Sequence, residues 1–169
     1  MTKVNGEDAI KLNEAKHDGK SFSLVNFLYE LHNHIYDTYL VVTIGLDEII
    51  QGNLVIKETN LIEQLHFAII DLHADNMLPS LQSCLQQTIK TALHRFAKLG
   101  YIEVQTYRQE NGSRISYVSG SQEQLGQVQS IQEELMQLQS YQPAVIQEIG
   151  KRVQTGLQEA LVTHLTSRL

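Results

Sequence analysis

The chain of 169 residues contains no tryptophan, a single cysteine and only two prolines. One cysteine excludes both an internal disulfide and a zinc site built from several cysteines. We expect Cys84, next to Leu85 in an apolar stripe, to be a structural residue rather than a nucleophile. No window approaches the 18 or so uninterrupted apolar residues of a transmembrane helix. The polar start of the chain also lacks the apolar stretch of a signal peptide.

The charge of the chain is unevenly distributed. The formal net charge is −6, yet residues 79–118 hold five basic and two acidic residues, which makes this segment +3 and the remainder −9. Proteins that bind nucleic acid gain most of their affinity by neutralising several phosphates. Because three net positive charges can neutralise few phosphates, the charge balance argues against nucleic acid as a partner.

The hydrophobic periodicity predicts a mainly α fold: a helical domain with one β-hairpin in a winged-helix-like element and long C-terminal amphipathic helices. We expect residues 1–21 to be a disordered tail, because they are too polar to bury much surface. Residues 22–169 are then a single domain. It comprises helices over 22–78, the winged-helix-like element over 79–118 and the C-terminal helices over 121–169.

Two helices are predicted in the first part of this domain. Apolar residues recur every three or four positions from Leu24 to Ile49, and Gly52 follows the predicted end. The centre, residues 39–46, is apolar on nearly all sides and should be buried, although its β-branched residues also allow a strand. In the second helix, the spacing of Asn60 and Glu63 predicts a capping box, and residues 76–79 end the helix.

The winged-helix-like element begins with a third helix, predicted from Ser80 to Leu99, with Gly100 as a left-handed cap. Alternation over 101–107 and again over 114–118 predicts two strands, and Asn111-Gly112 predicts a type I′ turn between them. A recognition helix followed by a wing would contact nucleic acid through basic side chains. The candidates for such contacts are Lys90, Arg95, Lys98, Arg108 and Arg114.

The last part of the chain is predicted to form two amphipathic helices. Apolar residues keep a coiled-coil-like spacing over 125–141, and after Pro143 they recur every fourth position over 145–165. Such helices suit self-association or an interaction module. A winged-helix regulator that dimerises through 125–141 and a helical interaction module are therefore alternative hypotheses.

Three stretches of the sequence resemble the C-terminal region of the glycerol-3-phosphate and dihydroxyacetone-phosphate acyltransferases. They are Asp37-Thr-Tyr-Leu-Val-Val42, the segment from Ser83 to Glu103, and Gly112-Ser113 with Ser116-Tyr-Val118. The resemblance covers about residues 24–141. It implies a membrane-associated parent enzyme that transfers an acyl group from acyl-CoA to the sn-1 hydroxyl of a triose phosphate. It further implies an upstream catalytic domain, outside this chain, against which the present segment packs.

The same family uses a His-x-x-x-x-Asp catalytic signature, and two pairs here have that spacing: His32 with Asp37, and His66 with Asp71. On a helix, residues five apart diverge by about 140°, so neither pair can form the hydrogen bond that a base and its orienting group need. His66 and His73 share a helix face but lack a metal-binding pattern. We therefore predict no catalytic, cofactor-binding or metal-binding residue in this chain, and whether it acts as an enzyme stays open.

The chain ends in Ser167-Arg168-Leu169, a conservative variant of the peroxisomal Ser-Lys-Leu signal. Combined with the resemblance, this ending favours the dihydroxyacetone-phosphate branch and its role in ether-lipid synthesis. A peroxisomal import receptor would then be a partner, and the parent would reside at the peroxisome. The other locations compatible with the family are the mitochondrial outer membrane and, for an isolated module, the cytoplasm.

Overall fold

The computed structural model describes the backbone of residues 2–4, 7–9, 15–17, 20–22, 24–78, 85–139 and 141–166, and side chains over 32–78, 85–138 and 141–159. The helices are α1 Leu24–Gln51, α2 Glu58–Ala74, α3 Gln86–Lys98, α4 Gln122–Gln139 and α5 Pro143–Thr166. The strands are β1 Thr2–Val4, β2 Glu7–Ala9, β3 Ala15–His17, β4 Lys20–Phe22, β5 Ile56–Lys57, β6 Glu103–Arg108 and β7 Arg114–Ser119. The predicted mainly α fold with a winged-helix-like element is confirmed.

The first four strands form two local antiparallel pairs, β1 with β2 and β3 with β4. All of their residues except Phe22 fall within residues 1–21, which the sequence predicts to be a disordered tail. Because no side chain is described there, that prediction stays untested.

Helix α1 is the centre of the domain and contacts all four other helices. Residues 40–46 are buried without exception, as their nearly uniform apolar character predicts. Thr38 and Thr43 tolerate this burial because their hydroxyls donate to the backbone oxygens of His34 and Leu40, at 2.7 and 2.8 Å. The segment is therefore helical despite its β-branched residues. The helix ends at Gln51, and Asn53 reverses the chain with a φ of 48°.

The predicted capping box of the second helix is wrong. Helix α2 begins at Glu58, with Lys57 as an N-cap residue that makes no side-chain cap, so Asn60 lies inside the first turn. The reason is tertiary: Ile56 and Lys57 form β5, which pairs with Val118 and Tyr117 of β7. The chain thus passes directly from a strand into the helix, and the backbone direction set by the sheet replaces the side-chain cap.

The domain contains a three-stranded antiparallel sheet in the order β5-β7-β6. Strands β6 and β7 are the predicted hairpin, whereas β5 was not predicted, since two residues give no detectable alternation. One face of the sheet carries Ile56, Val104 and Val118, all of which belong to or pack against the core. The order of a helix, a short strand, two helices and a hairpin completes the winged-helix layout. We call β6, β7 and the loop 109–113 the wing.

The loop at the tip of the wing differs from the predicted type I′ turn. The amide of Gln109 donates to the Ser113 oxygen at 2.8 Å, and the amide of Gly112 donates to the Gln109 oxygen at 2.9 Å. Gly112 has a φ of 82°, whereas Asn111 is not among the described residues with positive φ. The tip is therefore a three-residue loop, a type I turn followed by a left-handed glycine.

Helix α3 is shorter than predicted. It begins at Gln86, because Leu85 has extended backbone at φ −76° and ψ 117°. The predicted start at Ser80, and with it Cys84, lies outside the described residues. The predicted end is confirmed: Gly100 has a φ of 81°, and the amide of Tyr101 donates back to the Phe96 oxygen at 3.0 Å.

The two C-terminal helices pack on the rest of the chain. Helix α4 runs antiparallel to α1. Gln122, at the start of α4, donates to the backbone oxygen of Ile50 at the end of α1, and Tyr141, just past the end of α4, donates to Asp37 in the middle of α1. Helix α5 packs on α2 and α1. A Cβ atom on Gly45 of α1 would lie 3.5 Å from Val153 Cγ1 of α5 and 2.7 Å from Leu65 Cδ2 of α2, so the three helices approach closely at this glycine. Within the described ranges, no helix is both long and apolar enough to cross a bilayer.

Candidate functional site

The exposed side of α3 is the most cationic helix surface of the winged-helix element. Lys90, Arg95 and Lys98 are all exposed, and the 13 residues of α3 include no aspartate or glutamate. At about 100° per residue, all the exposed side chains of α3 after Gln86 fall within an arc of about 140°. We call this arc the α3 face; it consists of Gln87, Lys90, Thr91, His94, Arg95 and Lys98. The opposite arc is buried and holds Ile89, Ala92, Leu93 and Phe96.

The wing places its two arginines side by side. Arg108 and Arg114 are directly opposite each other in the last register pair of β6 and β7, and both are exposed. Since side chains alternate along a strand, this pair projects from the same side of the sheet as Val104 and Val118. That side covers the helices. The arginines therefore continue the inner surface of the wing past the edge of the core.

The nearest carboxylates do not pair with these cations. Glu58 is 8% exposed and binds His94, with 2.7 Å between Oε1 and Nε2. It also lies in the first turn of α2, where a negative charge is favourable. Glu110 borders the same shallow hollow at the wing tip as Arg108. Among the described residues, none of the five candidate cations forms an ion pair.

A second concave region is the groove between α2 and α5, with a volume of about 350 Å³. Phe67 lines it and is 51% exposed, while Asp71 and Arg152 contribute charge. Arg152 donates to Asp75 and, at 2.9 Å, to Glu148. These hydrogen bonds, that to Asp75 first, raise the pKa of the Arg152 guanidinium above its ordinary value. The arginine is thus a fixed charge that ties α2 to α5.

The two His-x-x-x-x-Asp pairs lie on regular helices, as the sequence predicts, and the members of each pair face different surroundings. His32 is exposed on α1, whereas Asp37 is buried and accepts a hydrogen bond from Tyr141. His66 lies 3.2 Å from the side-chain nitrogen of Gln86, while Asp71 faces the groove beside α5. Neither pair has the arrangement of a base with its orienting carboxylate.

Where side chains are described, no three or more His, Cys, Asp or Glu residues come together as ligands. His73 instead has its Nδ1 atom 2.9 Å from the Leu78 oxygen, which secures the end of α2. The candidate targeting signal, Ser167, Arg168 and Leu169, lies outside the described residues.

Sequence reasoning identified the five cations but missed the polar side chains between them. Gln87 and Thr91 belong to the α3 face, and their exposure follows from the burial of the opposite arc. The signal was readable in the sequence, since the spacing of Ile89, Leu93 and Phe96 leaves positions 87 and 91 on the exposed side of the helix. No protein-family model, curated protein or solved structure matches the chain.

Proposed function

We propose that this chain is the non-catalytic C-terminal domain of a glycerol-3-phosphate or dihydroxyacetone-phosphate O-acyltransferase. In such an enzyme it would support an upstream catalytic domain that transfers an acyl group from acyl-CoA to a triose phosphate. One observation carries the proposal: the separate stretches that resemble this family meet in one hydrophobic core.

Aromatic contacts join the first two stretches. The ring of Tyr39, in the first stretch, lies 5.5 Å from that of Phe96 in the second, and Phe96 lies 6.2 Å from Tyr101. Val118, at the end of the third stretch, is fully buried in the same core cluster. Likeness at distant places in the sequence that converges on one core is what a shared domain requires. The partly buried hydrogen bond from Tyr141 to Asp37 also joins the two ends of the resembling region.

The proposed supporting role needs a surface for the catalytic domain. Phe67 and Ile70 of α2 are 51% and 38% exposed, and Phe67 borders the groove between α2 and α5. Exposed apolar side chains beside a groove are typical of contact sites between domains. We expect the catalytic domain to cover this part of α2.

The test begins with the mass of the native product. An antibody raised against residues 24–169 would detect a band several times heavier than the 19.2 kDa of this chain. The same antibody should precipitate an activity that transfers radiolabelled acyl groups from acyl-CoA to glycerol 3-phosphate or dihydroxyacetone phosphate. A single band near 19.2 kDa with no such activity in the precipitate would reject the proposal.

The supporting role can be tested separately in the heavy product. Phe67→Asp should reduce acyl transfer because it places a charge in the proposed contact. The matched control is Gln87→Asp, which adds the same charge to an exposed position on α3. Equal activity of the two variants would argue against docking through α2.

The peroxisomal location is a finer part of the proposal. It rests on Ser167-Arg168-Leu169 and on the family resemblance. A fluorescent protein fused in front of residues 24–169 should co-localise with a peroxisomal marker, and deletion of Leu169 should abolish the overlap. Overlap that is absent with the intact ending, or unchanged by the deletion, would remove the peroxisomal assignment.

A further inference from the structure

We propose that the α3 face and the wing arginines Arg108 and Arg114 together bind the phosphate backbone of a nucleic-acid duplex. The inference goes beyond the proposed function and does not depend on it. It starts from the placement of five exposed cations on two neighbouring elements of a winged-helix layout.

The composition of the α3 face fits this ligand. Packing leaves these positions free, since the core is contacted by the opposite arc of the helix. Lys90, Arg95 and Lys98 supply positive charge, and the side-chain amide of Gln87 can bind phosphates or base edges. The Thr91 hydroxyl donates to the Gln87 backbone oxygen and the His94 imidazole binds Glu58. A solvated helix face normally mixes charges of both signs. Helix α3 has no carboxylate of its own, so its exposed cations are not neutralised within the helix and can attract an anionic partner.

The wing arginines break a rule of sheet stability. Like charges directly opposite on paired strands repel each other, yet Arg108 and Arg114 form such a pair next to the tip. Glu110 is the acidic residue in their loop, and it makes no ion pair with either within the described residues. Local violations of this kind occur at functional sites. An anion placed between the two guanidinium groups would relieve the repulsion.

The burial of the apolar side of α3 favours a duplex over a membrane. A helix that binds a lipid surface inserts an apolar face, but the apolar face of α3 is buried against the core. The exposed apolar side chains near α3, Leu85 and Leu99, flank its two ends and lie outside the cationic arc. Arg108 and Arg114 add charge on the helix-covering side of the sheet, at the tip of the wing that follows α3 in the chain.

The acidic remainder of the chain restricts how a duplex can approach. Residues 79–118 carry a net charge of +3 while the rest carries −9. A polyanion is repelled elsewhere and attracted at this surface, which selects one orientation. The small number of cations also predicts modest affinity and a salt dependence shallower than that of proteins with more phosphate contacts.

The experiment is a salt titration of the full chain with a fluorescently labelled random-sequence DNA duplex, followed by anisotropy. If all five cations neutralise phosphates, the logarithm of the association constant should fall with the logarithm of salt with a slope of about −4.5. The affinity would drop roughly 500-fold between about 50 and about 200 mM salt. No binding at the lowest salt concentration would overturn the proposal.

Three variants locate the surface. Arg95→Gln and Arg114→Gln should each weaken binding and reduce the magnitude of the slope by about one. The matched control is Lys151→Gln, an exposed cation on α5, which should leave both unchanged. Thermal unfolding of each variant verifies the fold. If the three substitutions weakened binding equally in variants that remain folded, the affinity would depend on net charge alone. That result would reject this site.

A parallel titration with vesicles of phosphatidylserine and phosphatidylcholine tests the membrane alternative. Binding to vesicles without binding to the duplex would replace the nucleic acid by a lipid surface and overturn the proposal. The two proposals fail separately. If the native product is heavy and does not bind the duplex, the acyltransferase proposal stands alone. If the product has a mass of 19.2 kDa and binds the duplex, the winged-helix regulator is the hypothesis that remains.

Discussion

Helices α1 and α3 satisfy different demands within the same core. The middle of α1, residues 40–46, is buried on every side, so packing determines each of its side chains. Helix α3 buries one arc around Leu93 and leaves the opposite arc free. The side chains of that free arc are uniformly neutral or cationic. Packing does not determine these side chains, so the free arc of α3, unlike the middle of α1, can serve as a binding surface.

The largest test of this contrast is a pair of substitutions on α3 itself. Leu93 is fully buried, and Leu93→Ala should lower the free energy of unfolding by about 2–5 kcal/mol, through lost burial and a residual cavity. Lys90→Ala, three residues earlier on the exposed arc, should change it by less than about 0.5 kcal/mol. Urea unfolding measures both. Similar losses would mean that the α3 face also contributes to packing.

The next test compares a buried and an exposed tyrosine hydroxyl. Tyr141→Phe removes the donor to the buried carboxylate of Asp37 and should cost about 1.5–3 kcal/mol, since a bond to a charged group is lost. Tyr107→Phe removes a hydroxyl that donates to Gln105 at the surface and should cost little. Thermal unfolding distinguishes the two. A neutral Tyr141→Phe would show that the hydrogen bond to Asp37 does not contribute to stability and that the other contacts of α4 hold it to α1.

The parts of the fold that the sequence predicted are those specified locally. The extent of α1 follows from its periodicity, and the end of α3 follows from Gly100, whose φ of 81° suits glycine. Strand β5 and the start of α2 depend instead on pairing between Ile56 and Val118, about sixty residues apart. No local sequence pattern indicates that pairing. A capping box was therefore predicted where a strand leads into the helix.

The candidate surface divides in the same way. Its cations and the lack of acids in α3 can be read from the sequence. The juxtaposition of Arg108 and Arg114 cannot, because it depends on the register of β6 and β7 and on the three-residue loop. The predicted two-residue turn would have changed which side chains face each other across the wing. Register, more than composition, determines whether these arginines form one site.

A smaller effect is expected from two glycines with opposite backbone requirements. Gly112→Ala should cost about 1 kcal/mol, because the φ of 82° disfavours an L residue although no atom lies within 4 Å of the added Cβ. Gly150→Ala, inside α5 and equally open, should stabilise the protein by about 0.5–1 kcal/mol through helix propensity. Melting temperatures should therefore shift in opposite directions. A neutral Gly112→Ala would indicate that the loop at the wing tip readily adopts another turn.

The smallest effect separates paired from unpaired cations. Arg152→Gln breaks ion pairs with Asp75 and Glu148 and should lower stability by about 0.5–1 kcal/mol in dilute buffer. Part of this loss should disappear near 1 M salt, since Asp75 is half exposed and the Debye length is then about 3 Å. Arg95→Gln should leave stability unchanged at both salt concentrations, as Arg95 forms no ion pair among the described residues. If Arg95→Gln destabilised the protein as much as Arg152→Gln, Arg95 would be a structural residue. That result would contradict its proposed role in binding an anion.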